Sequence, residues 1–219
     1  MIFETLQVGL FQCNCSILGC PETREAVCID PGDEVDRIVE ILDKHNLKLK
    51  YIIHTHAHID HIGGVKGLKD ATGAAVLLHP DDLFLYNDVA MQAEMIGLAA
   101  PPVAETDGLL KDGDRLRCGN TISIDVLHTP GHTPGSLSFH LPDNTDKLFT
   151  GDTLFMNSIG RTDLWGGSFR EIMRSIHQKL MAFKDETIVY PGHGPATTIG
   201  RERKLNPFLQ SGGRFRFSF

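Results

Sequence analysis

The densest chemistry in the chain lies in the stretch Tyr51-Ile52-Ile53-His54-Thr55-His56-Ala57-His58-Ile59-Asp60-His61. Four side chains able to bind a cation, His56, His58, Asp60 and His61, fall within six residues just past a short apolar run. In an extended chain alternate residues share a side, so His56 and His58 can converge on one ion. A turn at Asp60-His61 then aims two more donors at a neighbouring point. Imidazole nitrogen with carboxylate oxygen suits zinc, iron or manganese, and the absence of thiolate from the set argues against a closed structural zinc site. The competing reading is a solvated loop that happens to be rich in histidine. Three further segments weigh against it: Thr129-Pro130-Gly131-His132, Thr150-Gly151-Asp152-Thr153 and Pro191-Gly192-His193-Gly194. Each follows an apolar run and sets its histidine or aspartate beside glycine or proline. Glycine lets the backbone turn sharply and come close to an ion.

His56, His58, Asp60, His61, His132, Asp152 and His193 are therefore the expected ligands of two divalent metal ions, with zinc first and iron or manganese as options. Two such ions lower the pKa of a shared water toward neutrality and polarise a carbonyl. That is the chemistry of ester, thioester, lactone, amide or phosphoester hydrolysis, and the metals alone do not choose among these. Asp60 is expected to double as a proton shuttle. Asp30, at the end of its strand, either orients a ligand histidine from behind or simply opens a turn. His54 faces away from the ligand pair by strand alternation and reads as structural.

The elements that must position these residues alternate between strand and helix. Short apolar runs predict strands over Phe3–Gly9, Asn14–Gly19, Ala26–Asp30, Tyr51–Ile53 and Ala75–Leu78. Later strands fit Arg115–Cys118, Thr121–Leu127, Ser136–His140, Lys147–Thr150 and Thr187–Tyr190. Helical spacing marks Asp33–Asn46, with Asp33 as N-cap, then Val65–Thr72, Pro80–Leu98, Ser168–Phe183 and a closing helix over Gly200–Leu209. The alternation predicts a layered α/β architecture, with residues 1–210 as a single domain and 211–219 as a C-terminal tail.

Composition bounds the partners. The net charge of −7 over 219 residues argues against a nucleic-acid binder, which needs a basic face for phosphates. No stretch approaches the roughly 20 apolar residues of a membrane span, and the first fifteen residues lack the features of a secretory signal. Five cysteines, an odd number, fit free thiols in a reducing compartment; Cys13 and Cys15 read as buried strand residues. A cytoplasmic enzyme acting on a small molecule, without nucleic acid or membrane, is the expectation. Oligomeric state is not legible.

The order His56-Ala57-His58-Ile59-Asp60-His61, followed by His132, Asp152 and His193, resembles the metallo-β-lactamase superfamily over nearly the whole chain. The resemblance implies an αββα four-layer sandwich with the metals at one edge. It also implies that His56, His58 and His132 hold one ion, that Asp60, His61 and His193 hold the other, and that Asp152 bridges them.

Within that superfamily, Asn14-Cys15, Gly131-His132-Thr133-Pro134-Gly135-Ser136, Gly151-Asp152-Thr153-Leu154-Phe155, Gly160-Arg161-Thr162-Asp163-Leu164 and Glu202-Arg203-Lys204-Leu205-Asn206-Pro207 resemble the compact glyoxalase II group. The implied reaction is hydrolysis of a hydroxyacylglutathione thioester such as lactoylglutathione. Two departures bear on glutathione recognition: the longer enzymes carry a C-terminal helical domain, and Pro191-Gly192-His193-Gly194-Pro195 stands where they usually have a Gly-His-Glu-Tyr type sequence. Arg161, Arg201, Arg203 and Lys204 are candidates to meet a substrate carboxylate. The competing reading makes the last three a solvated charge run and Arg161 with Asp163 a brace for the loop after Asp152.

Three rivals stay open. A persulfide dioxygenase of the same scaffold would use one iron on His56, His132 and Asp152. A lactonase or β-lactamase-like hydrolase would need only a different pocket on the same metals. A non-enzymatic metal-holding scaffold would keep the site without turnover. Phe155, Met156, Trp165 and the segment with Phe84, Leu85, Tyr86, Met91 and Met95 are candidates for an apolar rim or for core.

Overall fold

The computed structural model describes residues 1–143 and 145–210; the expected tail over 211–219 lies outside them. Two six-stranded sheets face each other. The first runs in spatial order through β1 (Ile2–Val8), β2 (Cys13–Gly19), β3 (Glu25–Ile29), β4 (Lys48–Ile53), β5 (Ala75–Leu78) and β6 (Gly108–Leu109). β1 to β3 pair antiparallel, and β3 to β6 pair parallel.

The second sheet contains β7 (Arg115–Cys118), β8 (Ile122–His128), β9 (Leu137–Leu141), β10 (Lys147–Gly151), β13 (Ile188–Pro191) and β14 (Thr197–Thr198), in the order β14-β13-β10-β9-β8-β7. A small hairpin, β11 (Leu154–Phe155) with β12 (Ser158–Ile159), follows β10.

The inner strands are buried on both faces, so they read as continuous apolar runs whose alternate residues enter different cores. Leu18, Val27, Ile29 and Ile53 from the first sheet meet Ile124, Val126, Phe139 and Phe149 from the second. Ile17, Cys28, Ile52 and Val76 point the other way, against Ile38 and Leu42 of α1 (Val35–Lys44) and Leu68 of α3 (Val65–Thr72). Behind the second sheet, Leu148 and Val189 pack on Ile172 and Ile176 of α6 (Phe169–Gln178). Helix, sheet, sheet and helix make the expected αββα sandwich. All five cysteines are buried and free. Among the described residues no helix is long and apolar enough to cross a membrane.

Several expected elements break into pieces. Asp33 does not cap α1: its Oδ1 accepts the neighbouring Glu34 N–H at 2.7 Å, and Glu34, at φ 49°, is the residue before the helix. The segment Pro80–Leu98 is a 3-10 turn over Pro80–Asp82, then α4 (Leu83–Asn87) and α5 (Val89–Ile96), separated at Asp88. The expected helix Ser168–Phe183 ends as α6 at Gln178 and continues as a 3-10 turn over Leu180–Ala182. The closing helix is likewise two, α7 (Ile199–Leu205) and α8 (Pro207–Gln210). Pro207 drives Asn206 out of the helical region, to ψ 116°.

α7 is anchored by one buried carboxylate. Glu202 Oε1 accepts from Thr197 Oγ1 and from the Arg201 guanidinium, each at 2.6 Å. Its Oε2 accepts from Asn157 N at 2.7 Å and Asn206 Nδ2 at 3.0 Å. Replacing Glu202 with alanine takes the buried carboxylate from Thr197 Oγ1 and Asn157 N and one acceptor each from Arg201 and Asn206. The expected loss is about 3 kcal/mol, read as a fall of roughly 6–12 °C in Tm for a domain of this size, which thermal denaturation measures.

Candidate metal centre

Parallel direction brings the candidate ligands to one end of the sandwich. β8 and β10 both run antiparallel to β9, and β13 runs parallel to β10, so all three end on the same side. Past those ends come His132, Asp152 and His193. His56 and His58 lie just past β4, and the short helix α2 (Ile59–Ile62) turns Asp60 and His61 back toward them. Where the sheets meet, Leu137 N donates to Thr55 O at 2.6 Å and Asn14 N to Gly192 O at 2.7 Å.

The seven side chains form three overlapping groups, each with its donor atoms within 4.8 Å of one another: His56, His58 and His132; Asp60, His61 and His193; and His56, His61 and Asp152. Asp152 stands between the first two, Oδ2 3.6 Å from His132 Nε2 and 3.7 Å from His193 Nε2, and Oδ1 3.5 Å from His61 Nε2.

Three of the rings are held from behind. His61 Nδ1 lies 3.0 Å from Asp30 Oδ2, His132 Nδ1 2.8 Å from Arg161 O, and His193 Nδ1 3.0 Å from Phe11 O. A proton on each Nδ1 satisfies these acceptors and leaves each Nε2 as a bare lone pair facing inward. Asp30 also accepts from Thr55 N at 2.7 Å and Thr55 Oγ1 at 2.6 Å, which sets it as an orienting residue and not merely a turn opener. His54 is fully buried, and burial pushes its pKa down to about 4.

Cations fit this arrangement. His61 Nε2 and His193 Nε2 approach to 3.2 Å, and His132 Nε2 lies 2.9 Å from His58 Nδ1. His56 Nε2, His58 Nε2 and Asp152 Oδ1 are buried without a hydrogen-bond partner. Lone pairs this close repel unless a proton or a metal ion lies among them, and buried polar atoms are rarely left unpaired. The donors are nitrogen and oxygen only; Cys13 Sγ touches the far side of His61, 3.4 Å from Nδ1.

Electrostatics divides the two groups. Burial, reinforced by the neighbouring imidazoles, holds His56 and His58 well below the usual histidine pKa, so both are neutral at pH 7. Burial also acts against the charged forms of His61 and His193, but the acidic groups around them prevail. Cys13, Asp60, Asp152 and Asp30 hold His61 well above its usual value, and Asp60 and Asp152 raise His193. Asp60 is burdened by burial yet held below the carboxylate range by His61, His193 and His58.

Two residues that sequence reasoning missed tie the ligand loops together. Asp82, fully buried, accepts from Ala57 N at 2.9 Å, Thr133 Oγ1 at 2.8 Å and Gly135 N at 2.6 Å. Burial pushes its pKa up. Gln92 accepts from Ile59 N and donates to the carbonyls of Ala57 and Leu85. Neither carries a local signal; at most, an amide beside buried Val89 and Ala93 on α5 hints at a polar task inside.

The candidate substrate contacts divide as well. Arg161 lines the cavity in front of the cluster, its guanidinium donating twice to Asp163 at 2.8 Å. Arg201 bonds Asn157 and Glu202, Arg203 the carbonyls of Met181 and Phe183, and Lys204 faces Asp185 at 3.6 Å. None of these three lines that cavity. Of the rim candidates, Trp165 and Met95 line it, whereas Leu85 and Tyr86 are core. One other grouping, His79, Asp81 and His128, differs in geometry: its rings stack 4.0 Å apart at 11°, so their in-plane lone pairs run parallel instead of converging.

A chain with this sandwich and this cluster belongs to the metallo-beta-lactamase superfamily, whose sequence profile matches residues 8–193. Hydroxyacylglutathione hydrolase GloC of Haemophilus influenzae is 37% identical over 217 residues, spanning 96% of this chain and 99% of that one. Human mitochondrial persulfide dioxygenase ETHE1 is 33% identical over 88% of this chain and 70% of its own. Among solved structures, the B3 metallo-beta-lactamase BLEG-1 superposes with a TM-score of 0.89 at 38% identity, over 95% of this chain and all of that one. TTHA1623, solved in a di-iron-bound form, gives 0.84 at 38% identity, over 94% and 100%. The His/Asp cluster is that of a metal-dependent hydrolase superfamily, and the di-iron relative accords with a dinuclear centre.

Two outcomes follow. Acidic neighbours favour the protonated forms of His61 and His193, which metal binding opposes, whereas burial already disfavours protonation of His56 and His58. Calorimetric titration of metal-free protein in buffers of different ionisation enthalpy is expected to show more proton release in one of two binding events than in the other. That event, at Asp60, His61 and His193, is expected to weaken first as pH falls. Asp82→Asn places an amide against three donors and is expected to weaken metal binding by about 10–100-fold, measured by chelator competition.

Proposed function

We propose that the protein is a dinuclear metal-dependent thioester hydrolase acting on hydroxyacylglutathione-type substrates. The observation that carries this reading is the complete double ligand set: both groups keep every donor, and Asp152 stands between them. Kinship with GloC over nearly the full length of both chains supports the thioester.

The ions, when bound, supply Lewis acidity, acidifying water and polarising a carbonyl. The chain supplies the rest. Asp60, ionised at neutral pH, opens onto the cavity and holds its Oδ2 3.1 Å from His193 Nε2. There it orients the attacking water and relays its proton toward the departing thiolate. His58, His132 and Trp165 narrow the space in which the carbonyl must lie. The products are a hydroxy acid and a free thiol.

A second reading, a persulfide dioxygenase, has the human relative in its favour. It needs one iron on His56, His132 and Asp152 and leaves His58, Asp60, His61 and His193 idle. Metal analysis and turnover on one preparation, with and without chelator, separate the two. Lactoylglutathione and glutathione persulfide are offered side by side. The expected result is about two metals per chain with chelator-sensitive release of glutathione. One iron per chain with oxygen uptake on the persulfide overturns the proposal. Zinc is the expected metal, with iron or manganese as alternatives that the same analysis identifies.

A further inference from the structure

The cavity over the candidate metal centre has a polar floor and a largely apolar outer wall. It measures about 410 Å³, with His58, Asp60, His132 and Asp152 toward the metals and Phe11, Met95, Ile96, Leu164 and Trp165 around them. A smaller cavity of about 160 Å³ shares Phe11, Ile59 and Asp60 with it and extends the groove past Leu10 and Leu98. The wall is wet in the free protein: Leu10 is 77% exposed, Met95 60%, Phe11 46% and Leu98 43%. Single exposed apolar side chains are ordinary, but a ring of them around one cavity marks a surface that is covered in use.

The polar groups of the same cavity are already engaged. Among the described residues Arg161 is its one lining cation, and Asp163 holds that guanidinium through both oxygens. Gln92 spends its amide on the backbone of the ligand loop. Asp33 lines the smaller cavity. A glutathionyl group brings two carboxylates and one ammonium; away from the metal ligands its carboxylates would meet Asp33, apolar wall and an Arg161 already paired with Asp163. An alkyl chain asks only for area, and this volume falls among small-molecule sites.

We infer that the ring of Leu10, Phe11, Met95, Ile96, Leu98 and Trp165 is an acyl-binding wall. The substrates turned over most efficiently are thioesters with an unbranched apolar acyl chain, their charged thiol carrier lying toward water. The inference rests on the thioester hydrolase reading and narrows its substrate. A lactoyl group, short and hydroxylated, touches little of this wall. Each methylene added to the acyl chain buries area that the wall otherwise leaves wet.

The test keeps the thiol constant: lactoyl-, butyryl-, hexanoyl- and octanoylglutathione are compared by kcat/KM on the metal-loaded full chain. The expected series rises about two- to four-fold per added methylene, the upper figure being the fold-change of roughly 0.8 kcal/mol. Met95→Gln is expected to flatten that slope. Leu109→Ser, at a residue 46% exposed on β6 outside the groove, is expected to leave it unchanged. Lactoylglutathione hydrolysis with a flat or falling series overturns the inference and leaves the hydrolase reading standing. Failure of the whole series, lactoylglutathione included, overturns both. If Met95→Gln changes oligomeric state by light scattering without changing the slope, the ring is a contact between copies and the inference falls.

Discussion

Five imidazoles and two carboxylates converge on one small space with buried atoms left unpaired, and the structure around them holds that convergence in place. The constraint explains why each ligand stands on a strand end or a one-turn helix and not on a long free loop. It also explains the hydrogen bonds placed behind the rings. Asp30 reaches from β3 to His61 and Thr55, the carbonyl of Arg161 meets His132, and the carbonyl of Phe11 meets His193. Each contact fixes a tautomer and an angle, so the inward nitrogens have no rotational escape. The sandwich supplies stiffness: its close-packed core between sheets transmits any displacement of one strand end to the others.

The same constraint accounts for what could be read from the chain. The histidine cluster was legible because strand alternation and turn chemistry act over a few residues. Glycine and proline beside His132, Asp152 and His193 carried the signal to three distant points. Gly131 shows why: at φ 137°, a Cβ there would sit 2.1 Å from the backbone nitrogen of Ile172. The layered architecture was legible for a similar reason, since inner strands buried on both faces read as unbroken apolar runs.

What escaped the sequence depends on partners far along the chain. Asp82 was an ordinary acidic residue near a helix start until Ala57, Thr133 and Gly135 closed around it. Arg201, Arg203 and Lys204 formed a basic run; folded, they fasten α7 to Asn157, Asp185 and the carbonyls of Met181 and Phe183. Asp33 had the right type for a cap, but the tight turn from Asp30, itself at φ 53°, places Glu34 at the helix entrance. Helix breaks at Asp88 and Asn206 escaped because amphipathic spacing continues across them.

The turn between β1 and β2 has a consequence of another sort. Phe11 O receives His193, Asn14 N bonds Gly192 O at 2.7 Å, and the Asn14 amide spans the carbonyls of Pro191 and Gly194 at 3.0 and 2.8 Å. The start of the chain is thus the seat of its last ligand. Because synthesis proceeds from the N-terminus, His56, His58 and His132 exist together while the partner for Phe11 and Asn14 has yet to leave the ribosome. The trio of Asp60, His61 and His193 thereby depends on a contact spanning 182 residues of sequence, whereas His58 and His132 stand only 74 apart.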